Sequence, residues 1–221
     1  MTRRCSAVLF DLDGTLVDSA PDLAGAANDL RLAQGLEALP FERLRPMVGT
    51  GARGMVGVAF GQAPGDAHFE TLRDAFLARY EQRLLMLTQV FAEMQPVLHR
   101  LASAGTRWGI VTNKATRYTA PIVAGLPALA AAEVVVAGDT TPHAKPHPAP
   151  LLEAARCLGV DAADCVYVGD DLRDVQAGRA AGMATLAARW GYLGAGEAVD
   201  DWGADAVLNA PDELLNWLRL A

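Results

Sequence analysis

Two aspartates, Asp11 and Asp13, follow a short apolar run at residues 8–10, and Gly14-Thr15 breaks the pattern. A short apolar segment before such a break predicts a buried strand. Because side chains alternate along a strand, both carboxylates are expected to point the same way at its end. Two carboxylates in one small volume repel each other, so the pKa of one rises unless a cation lies between them. The pair therefore predicts either a divalent metal site or a nucleophile beside a general acid.

Two other structures also use aspartates at this spacing. A solvated turn is built from the same residues, and for this segment alone it is an equally good interpretation. A calcium-binding EF-hand loop needs glycine at its sixth position and glutamate at its twelfth. Counted from Asp11, these positions hold Leu16 and Asp22, and the preceding segment is strand-like. The calcium loop is therefore excluded, and the turn remains as the alternative.

The composition limits the class of protein. The chain has 221 residues, of which 52% are hydrophobic, enough for one large domain or a core with an insertion. A net charge of −7 argues against a nucleic-acid partner, which needs a basic surface. The three cysteines lack paired metal-ligand spacing and fit a reducing compartment. No apolar stretch has the length of a signal peptide or membrane span, so we expect a soluble cytoplasmic protein, as a monomer or homodimer.

Hydrophobic periodicity divides the chain into two parts. Between residues 19 and 88 no convincing strand is found; helices are predicted at 20–38, 41–46, 55–60 and 69–87, with a glycine-rich turn at 48–54. The second half alternates the two elements, with helices at 97–104, 148–158, 172–181 and 212–218 and strands at 108–111, 134–137, 165–168, 184–187 and 206–208. Repeated strand–helix units predict an α/β fold in which helices cover both faces of a parallel sheet.

Polar residues follow three of the predicted strands, namely Asp11, Thr112 and Asp170. Ligands of such sheets bind beyond the carboxyl ends of the strands, so these side chains are expected to share a site. Lys145, one of only two lysines in the chain, lies between Ala144 and a proline in a loop that prolines stiffen. Taken singly, this lysine fits an ordinary surface loop.

Three acids, Asp170, Asp171 and Asp174, lie where a predicted strand meets a predicted helix. Capping of the helix N-terminus explains Asp171 well, but explains the pair of Asp170 and Asp174 less well. Along the chain, D-x-D-G-T, a strand-end Thr, Lys before Pro, and G-D-x-x-x-D occur in this order. This order resembles the haloacid dehalogenase superfamily, and the resemblance covers nearly the whole chain.

The helical part resembles the inserted cap of the phosphoglycolate phosphatase branch of that superfamily. The resemblance implies a Rossmann-like, doubly wound catalytic core at residues 1–17 and 90–221, and an all-helical cap at residues 18–89. It also implies an Mg²⁺-dependent phosphatase that hydrolyses a small phosphorylated metabolite through an aspartyl-phosphate. Mg²⁺ suits such a site because it prefers oxygen ligands and shares phosphate oxygens.

The same resemblance implies the roles of individual residues. Asp11 would be the nucleophile, and Asp13 the general acid that protonates the leaving oxygen and then the base that activates water. Thr112 would hold phosphoryl oxygens, and Lys145 would neutralise charge and orient Asp11. Four aspartates are implied to hold Mg²⁺: Asp11, Asp13 through its carbonyl, Asp170, and Asp174 through water.

The sequence leaves two candidate substrates. Residues 48–53 resemble the cap loop of phosphoglycolate phosphatases, which act on 2-phosphoglycolate. Other stretches are closer to the bacterial N-acetylmuramic acid 6-phosphate phosphatases of peptidoglycan recycling: residues 51–56, 59–61, 108–114, 169–174 and 202–205. Both substrates carry a phosphate and a carboxylate, and Arg53 or Arg45 is the expected partner of that carboxylate. Asn113 is an expected contact of the substrate phosphate, whereas Lys114 is interpreted as a loop charge.

Other reactions of the superfamily are less well matched. Dehalogenases lack the second aspartate, so Asp13 argues against that activity. Phosphonate hydrolysis there needs a cap lysine, and residues 18–89 contain none. Nothing in the cap suggests a phosphomutase. A non-catalytic binding protein on the same fold is disfavoured because Asp11, Asp13, Lys145 and Asp170 are all present.

Overall fold

The computed structural model describes residues 5–194 and 196–220, so residues 1–4, 195 and 221 of the predicted core lie outside the described residues. The strands are β1 (Ala7–Phe10), β2 (Val17–Asp18), β3 (Gln89–Val90), β4 (Arg107–Val111), β5 (Val135–Val136), β6 (Cys165–Gly169), β7 (Ala184–Ala188) and β8 (Ala206–Leu208). The α-helices are α1 (Ala20–Ala33), α2 (Phe41–Leu44), α3 (Gly51–Phe60), α4 (Phe69–Arg83), α5 (Met94–Ser103), α6 (Thr116–Gly125), α7 (Ala149–Leu158), α8 (Leu172–Ala180) and α9 (Glu213–Leu218). Short 3₁₀ helices cover Arg45–Thr50, Pro127–Leu129, Ala162–Asp164 and Val199–Asp201.

Six strands form one parallel sheet in the order β5–β4–β1–β6–β7–β8. β1 is central and pairs in parallel with β4 and β6, and all four of its residues are buried. Val8 and Phe10 pack in a cluster with α5 and α9, whereas Ala7 and Leu9 pack in another with α7 and α8. Alternate side chains therefore bury against helices on opposite faces, which confirms the predicted α/β fold with a doubly wound parallel sheet.

The helices α1 to α4 form a helical block with a core of its own, to which Leu23, Leu44, Met55 and Phe76 contribute. The chain enters and leaves this block through β2 and β3, which pair antiparallel with each other. The buried carboxylate of Asp22 on α1 strengthens this junction by accepting hydrogen bonds from the segment that leads back to β3.

Two predicted helices are shorter in the structure than the periodicity indicated. α1 ends at Ala33 instead of residue 38, because Gly35 takes a φ of 74° that a right-handed helix does not allow. α4 ends at Arg83 instead of residue 87, and Leu85 lies in the same left-handed region with φ 66°. The apolar periodicity continues past both helix ends and therefore predicted longer helices, whereas the backbone conformation at these residues ends them.

Two segments were assigned wrongly or missed. Residues 48–54 are not a loose glycine-rich turn: the 3₁₀ helix Arg45–Thr50 leads directly into α3, which begins at Gly51. The helix α6 was missed because Pro121 lies inside it and proline normally interrupts a helix. No helix in the described part of the chain has both the length and the apolar character needed to cross a bilayer.

Candidate active site

The carboxyl ends of β1, β4 and β6 face a cavity of about 380 Å³ that lies between the sheet and the helical block. Asp11, Thr112 and Asp170, which directly follow these strands, all line it, as the strand order predicted. Asp13 and Lys145 line the same cavity. The opposite wall comes from the helical block and is mostly apolar, with these side chains: Leu23, Val48, Phe76, Leu77 and Tyr80.

Lys145 lies at the centre of the polar wall and is buried. Its ammonium donates to Asp11 Oδ1 at 2.8 Å, to the Val111 carbonyl at 3.0 Å and to the Tyr167 hydroxyl at 2.7 Å, and lies 2.7 Å from Asp174 Oδ1. Burial opposes the charged form, but the carboxylates of Asp11 and Asp174 outweigh it and raise the pKa of Lys145. The lysine is thus held as a cation against Asp11, so it is not a surface loop charge.

Sequence inspection missed Tyr167, whose hydroxyl helps to fix this lysine. The residue lies on β6 and is buried, and its hydroxyl donates to the Val111 carbonyl at 2.8 Å. A tyrosine inside a strand gives no sign in the sequence of what its hydroxyl contacts, so only the register of β6 beside β1 could have indicated it.

Asp11, Asp170 and Asp174 form the acidic cluster of the site. One carboxylate oxygen from each lies within 4.8 Å of the others. Burial, followed by the charges of Asp11 and Asp174, raises the pKa of Asp170 well above its usual range. A divalent cation would remove this repulsion, and a set of carboxylate oxygens is the donor chemistry that Mg²⁺ prefers. The cluster therefore fits the implied Mg²⁺.

Asp170 is held in place by its neighbours on both sides. The Thr15 hydroxyl donates to its Oδ1 at 3.0 Å, and the backbone N–H of Tyr192 donates to its Oδ2 at 2.7 Å. A methyl group built on Gly14 or Gly191 would overlap the Asp170 side chain. Gly14 also has a φ of 85°, which favours glycine. The glycine of D-x-D-G-T is thus needed for the close approach of Asp170.

Asp174 and Asp171 form a capping box at the start of α8. Asp174 Oδ2 accepts from the backbone N–H of Asp171 at 3.1 Å, while its Oδ1 faces Lys145. Burial raises the pKa of Asp174 to about 6, against the lowering effect of Lys145. Both of its oxygens have protein partners, which suits the predicted contact with the metal through water. Asp171 binds Arg173 with both oxygens at 2.7 Å, in keeping with the capping interpretation.

Among the described residues, the Asp13 carboxylate does not belong to the acidic cluster of Asp11, Asp170 and Asp174. The Asp13 carboxylate accepts from the ammonium of Lys114 at 2.9 Å through each oxygen, and from the Ser19 hydroxyl at 2.5 Å. The interpretation of Lys114 as a loop charge is therefore wrong, since only 9% of its side chain is exposed. The sequence held a signal for a role of Lys114 in the site, since one of the only two lysines in the chain lies two residues after Thr112.

Thr112 and Asn113 line the cavity but also make bonds within the protein. Thr112 is buried, and its hydroxyl oxygen accepts from the backbone N–H of Lys114 at 3.1 Å. The Asn113 amide holds the backbone of Lys145, donating to its carbonyl and accepting from its N–H, both at 2.9 Å. Asn113 thus fixes the Lys145 loop, and phosphate contacts by Thr112 and Asn113 stay predictions.

Arg53 does not line the cavity, although it was predicted to contact the substrate. Gly51 and Ala52 line the cavity, but Arg53 is exposed and is absent from its lining. The prediction assumed a glycine-rich turn, whereas a regular helix begins at Gly51, and each helical residue turns by about 100° from the last. Among the described residues, the arginines that line the cavity are Arg117 and Arg173, which were not predicted. Arg45 instead contacts the Trp190 and Gly191 carbonyls and stacks on Tyr192.

This constellation agrees with comparisons to known proteins. The family model of haloacid dehalogenase-like hydrolases matches residues 8–188. The chain belongs to this family. A phosphoglycolate phosphatase of Xanthomonas campestris is 46% identical over 94% of each chain. An N-acetylmuramic acid 6-phosphate phosphatase of Pseudomonas aeruginosa is 40% identical over 99% of this chain and 96% of its own.

Solved structures agree with the family assignment. A crystal structure described as a predicted phosphoglycolate phosphatase of Haemophilus somnus has a TM-score of 0.83 and 26% identity, over 97% of this chain and 98% of its own. The resemblance stated from the motifs is confirmed, and the protein is a hydrolase of this family.

Proposed function

We propose that the protein is a phosphatase that hydrolyses a phosphomonoester through an aspartyl-phosphate on Asp11. The observation that carries this proposal is the contact between Lys145 and Asp11, 2.8 Å long, at the edge of a cavity that also holds Asp13. A buried cation beside a carboxylate nucleophile orients it and offsets the charge of an incoming phosphate. The 46% and 40% identical relatives are both named as phosphatases.

The chemistry needs two steps. A carboxylate oxygen of Asp11 attacks phosphorus, and the bond from phosphorus to the leaving oxygen breaks as Asp13 donates a proton to that oxygen. Asp13 then removes a proton from a water molecule, which attacks phosphorus, so that inorganic phosphate leaves and the Asp11 carboxylate is restored. General acid–base transfer of this kind contributes roughly 10²- to 10⁴-fold to the rate.

The acidic cluster supports Mg²⁺ as the cofactor of this reaction. Asp11 and Asp170 would hold the ion directly, together with the carbonyl of Asp13, and Asp174 would hold it through water. When bound, the ion supplies positive charge that offsets the phosphate oxygens and the clustered carboxylates. Asp11, Asp170 and Asp174 provide the oxygen donors that such an ion prefers.

Residues 18–89 are proposed to act as a cap over the reaction. The paired strands β2 and β3 would be its two linkers, and closure would keep water out while the aspartyl-phosphate forms. Contacts across the interface support this role, since Tyr80 of the helical block packs on Tyr118 of α6 with ring centres 5.4 Å apart.

The substrate is proposed to be a small phosphorylated metabolite with a carboxylate, and 2-phosphoglycolate is the first candidate. One observation favours N-acetylmuramic acid 6-phosphate as the second. The cavity has a volume of about 380 Å³ and is lined by the rings of Phe76, Tyr80 and Tyr118, which suits a sugar phosphate that is larger than a two-carbon acid.

Phosphate release from both compounds, measured side by side with and without Mg²⁺, tests the proposal. We expect Mg²⁺-dependent turnover that Asp11→Asn abolishes while the thermal melting curve stays cooperative. A folded Asp11→Asn protein with wild-type turnover would contradict the aspartyl-phosphate mechanism. The ratio of kcat/KM for the two compounds decides between the substrates.

A further inference from the structure

Tyr192 lies in the loop after β7 and is buried at the junction of three parts of the molecule. Its backbone N–H donates to Asp170 Oδ2 at 2.7 Å, so the residue takes part in holding the acidic cluster. The guanidinium of Arg45, which belongs to the helical block, stacks over its ring at 5.0 Å from the ring centre. Its hydroxyl reaches the start of α1, where the chain passes from β2 into that block. Tyr192 has no role in the proposed phosphatase mechanism.

The Tyr192 hydroxyl satisfies the first turn of α1. It accepts from the backbone N–H of Ser19 at 2.8 Å and from that of Ala20 at 3.0 Å, and it donates to Asp18 Oδ1 at 3.0 Å. Helix starts leave N–H groups without backbone partners, and a residue such as Ser19 usually supplies the acceptor. Here the Ser19 side chain makes no such cap. Instead, the hydroxyl of Tyr192, 173 residues further along the chain than Ser19, accepts from the N–H groups of Ser19 and Ala20.

The side chain of Ser19 is thereby free for another contact. Its hydroxyl donates to Asp13 Oδ1 at 2.5 Å. Ser19 and Lys114 are the two side chains that bind the Asp13 carboxylate among the described residues. Ser19 is fully buried, and its position depends on the backbone that the Tyr192 hydroxyl holds.

We propose that Tyr192 is a positioning residue for Asp13, acting through Ser19. Its hydroxyl fixes the backbone of Ser19, and the Ser19 hydroxyl in turn orients the carboxylate that exchanges protons with the leaving oxygen. This inference rests on the proposed phosphatase function, because the role of Asp13 as general acid belongs to that function. The same tyrosine links the orientation of Asp13 to Asp170, which its backbone holds.

The variants Tyr192→Phe and Ser19→Ala test this proposal. The phenylalanine keeps the ring on Arg45 and the backbone bond to Asp170, and removes only the hydroxyl. Ser103→Ala is the matched control, since the Ser103 hydroxyl bonds to the His99 carbonyl on the exposed surface of α5. Single-turnover release of the alcohol or phenol is measured for a series of phosphomonoesters with Mg²⁺, from alkyl phosphates to p-nitrophenyl phosphate.

Misplacement of the general acid slows the release of poor leaving groups most, because an acidic phenol leaves without protonation. We expect Tyr192→Phe and Ser19→Ala each to slow release of the alkyl alcohols by roughly 10- to 100-fold, within the full contribution of a general acid. Release of p-nitrophenol should fall less than about threefold on the same basis. The double variant should be no slower than the worse single variant, because both changes break one chain of contacts. Ser103→Ala should behave as the wild type.

Three results would overturn the proposal. Equal losses across the series would mean that Tyr192 supports the fold or the acidic cluster, and additive losses would mean that the two residues act separately. Wild-type rates in both variants would show that the hydroxyls of Tyr192 and Ser19 do not position Asp13. If Tyr192→Phe melts at a much lower temperature, Ser19→Ala still tests the contact with Asp13, and wild-type release of the alkyl alcohols in that variant would overturn the proposal. Failure of the wild type to release any alcohol would count against the phosphatase function instead.

Discussion

The ammonium of Lys114 lies 2.9 Å from each carboxylate oxygen of Asp13 and 4.9 Å from the centre of the Tyr80 ring. One side chain therefore joins the proposed general acid to α4 of the helical block. Burial opposes the charge of this lysine, but Asp13 outweighs burial and raises the pKa of Lys114. The lysine remains a cation throughout the pH range of an enzyme assay. A movement of the helical block over the site would therefore change the surroundings of the Asp13 carboxylate.

Lys114→Met should lower kcat/KM by roughly 10- to 100-fold, because truncating one partner of a buried hydrogen-bonded ion pair costs about 2–5 kcal/mol, part of which Ser19 can offset. Lys114→Arg should recover part of the loss, since it restores the positive charge. Steady-state kinetics with a thermal melt of each variant provide the measurement. Activity within twofold of the wild type in Lys114→Met would show that Asp13 does not need this partner.

Mg²⁺ should raise the melting temperature of the protein, because a ligand that binds only the folded state stabilises it. Asp170→Asn should abolish that increase. Without metal the same variant should melt above the wild type, since it removes one of the charges that repel each other in the acidic cluster. Asp171→Asn is the control and should keep most of the Mg²⁺ effect. A larger loss in Asp171→Asn than in Asp170→Asn would show that the metal ligands are assigned wrongly.

The sequence predicted the sheet and the meeting of Asp11, Thr112 and Asp170, because these depend on strand ends that periodicity locates. It did not predict the contacts of long side chains. The direction of Lys114 and the reach of the Tyr192 hydroxyl to α1 depend on how loops distant in sequence pack together. Arg53 was misplaced because one helical turn, beginning at Gly51, decides which face of the segment meets the cavity.

Arg173 provides a bond between α8 and the helical block. Its guanidinium donates to the Gly49 carbonyl at 2.6 Å while Asp171 holds it through both oxygens. Arg173→Met should therefore loosen the contact between α8 and the helical block and raise KM by roughly tenfold, the loss of one charge-assisted hydrogen bond of about 1.5 kcal/mol. Arg179→Met is the matched control, because Arg179 lies on the same helix and faces the Gly203 carbonyl instead. Equal KM values in the two variants would mean that this bond does not hold the helical block in its place.

Arg117, in place of Arg53, is expected to bind the carboxylate of the proposed substrate. Its guanidinium stacks on the Tyr118 ring at 4.5 Å and lines the cavity, and no ion pair holds it among the described residues. The other three cations of the cavity are already paired, namely Lys114, Lys145 and Arg173. A free guanidinium suits a carboxylate because it can donate two parallel hydrogen bonds.

Arg117→Ala should therefore lower kcat/KM for 2-phosphoglycolate by roughly 10- to 100-fold, which corresponds to one charge-assisted contact. Hydrolysis of ethyl phosphate, which lacks the carboxylate, should change less than about threefold. Arg53→Ala serves as the matched control, since Arg53 is exposed outside the cavity and its loss should affect neither compound. Equal losses on both compounds in Arg117→Ala would mean that Arg117 supports the phosphate site or the packing of Tyr118. A selective loss in Arg53→Ala would instead require the helical block to rotate α3 toward the site when the substrate binds.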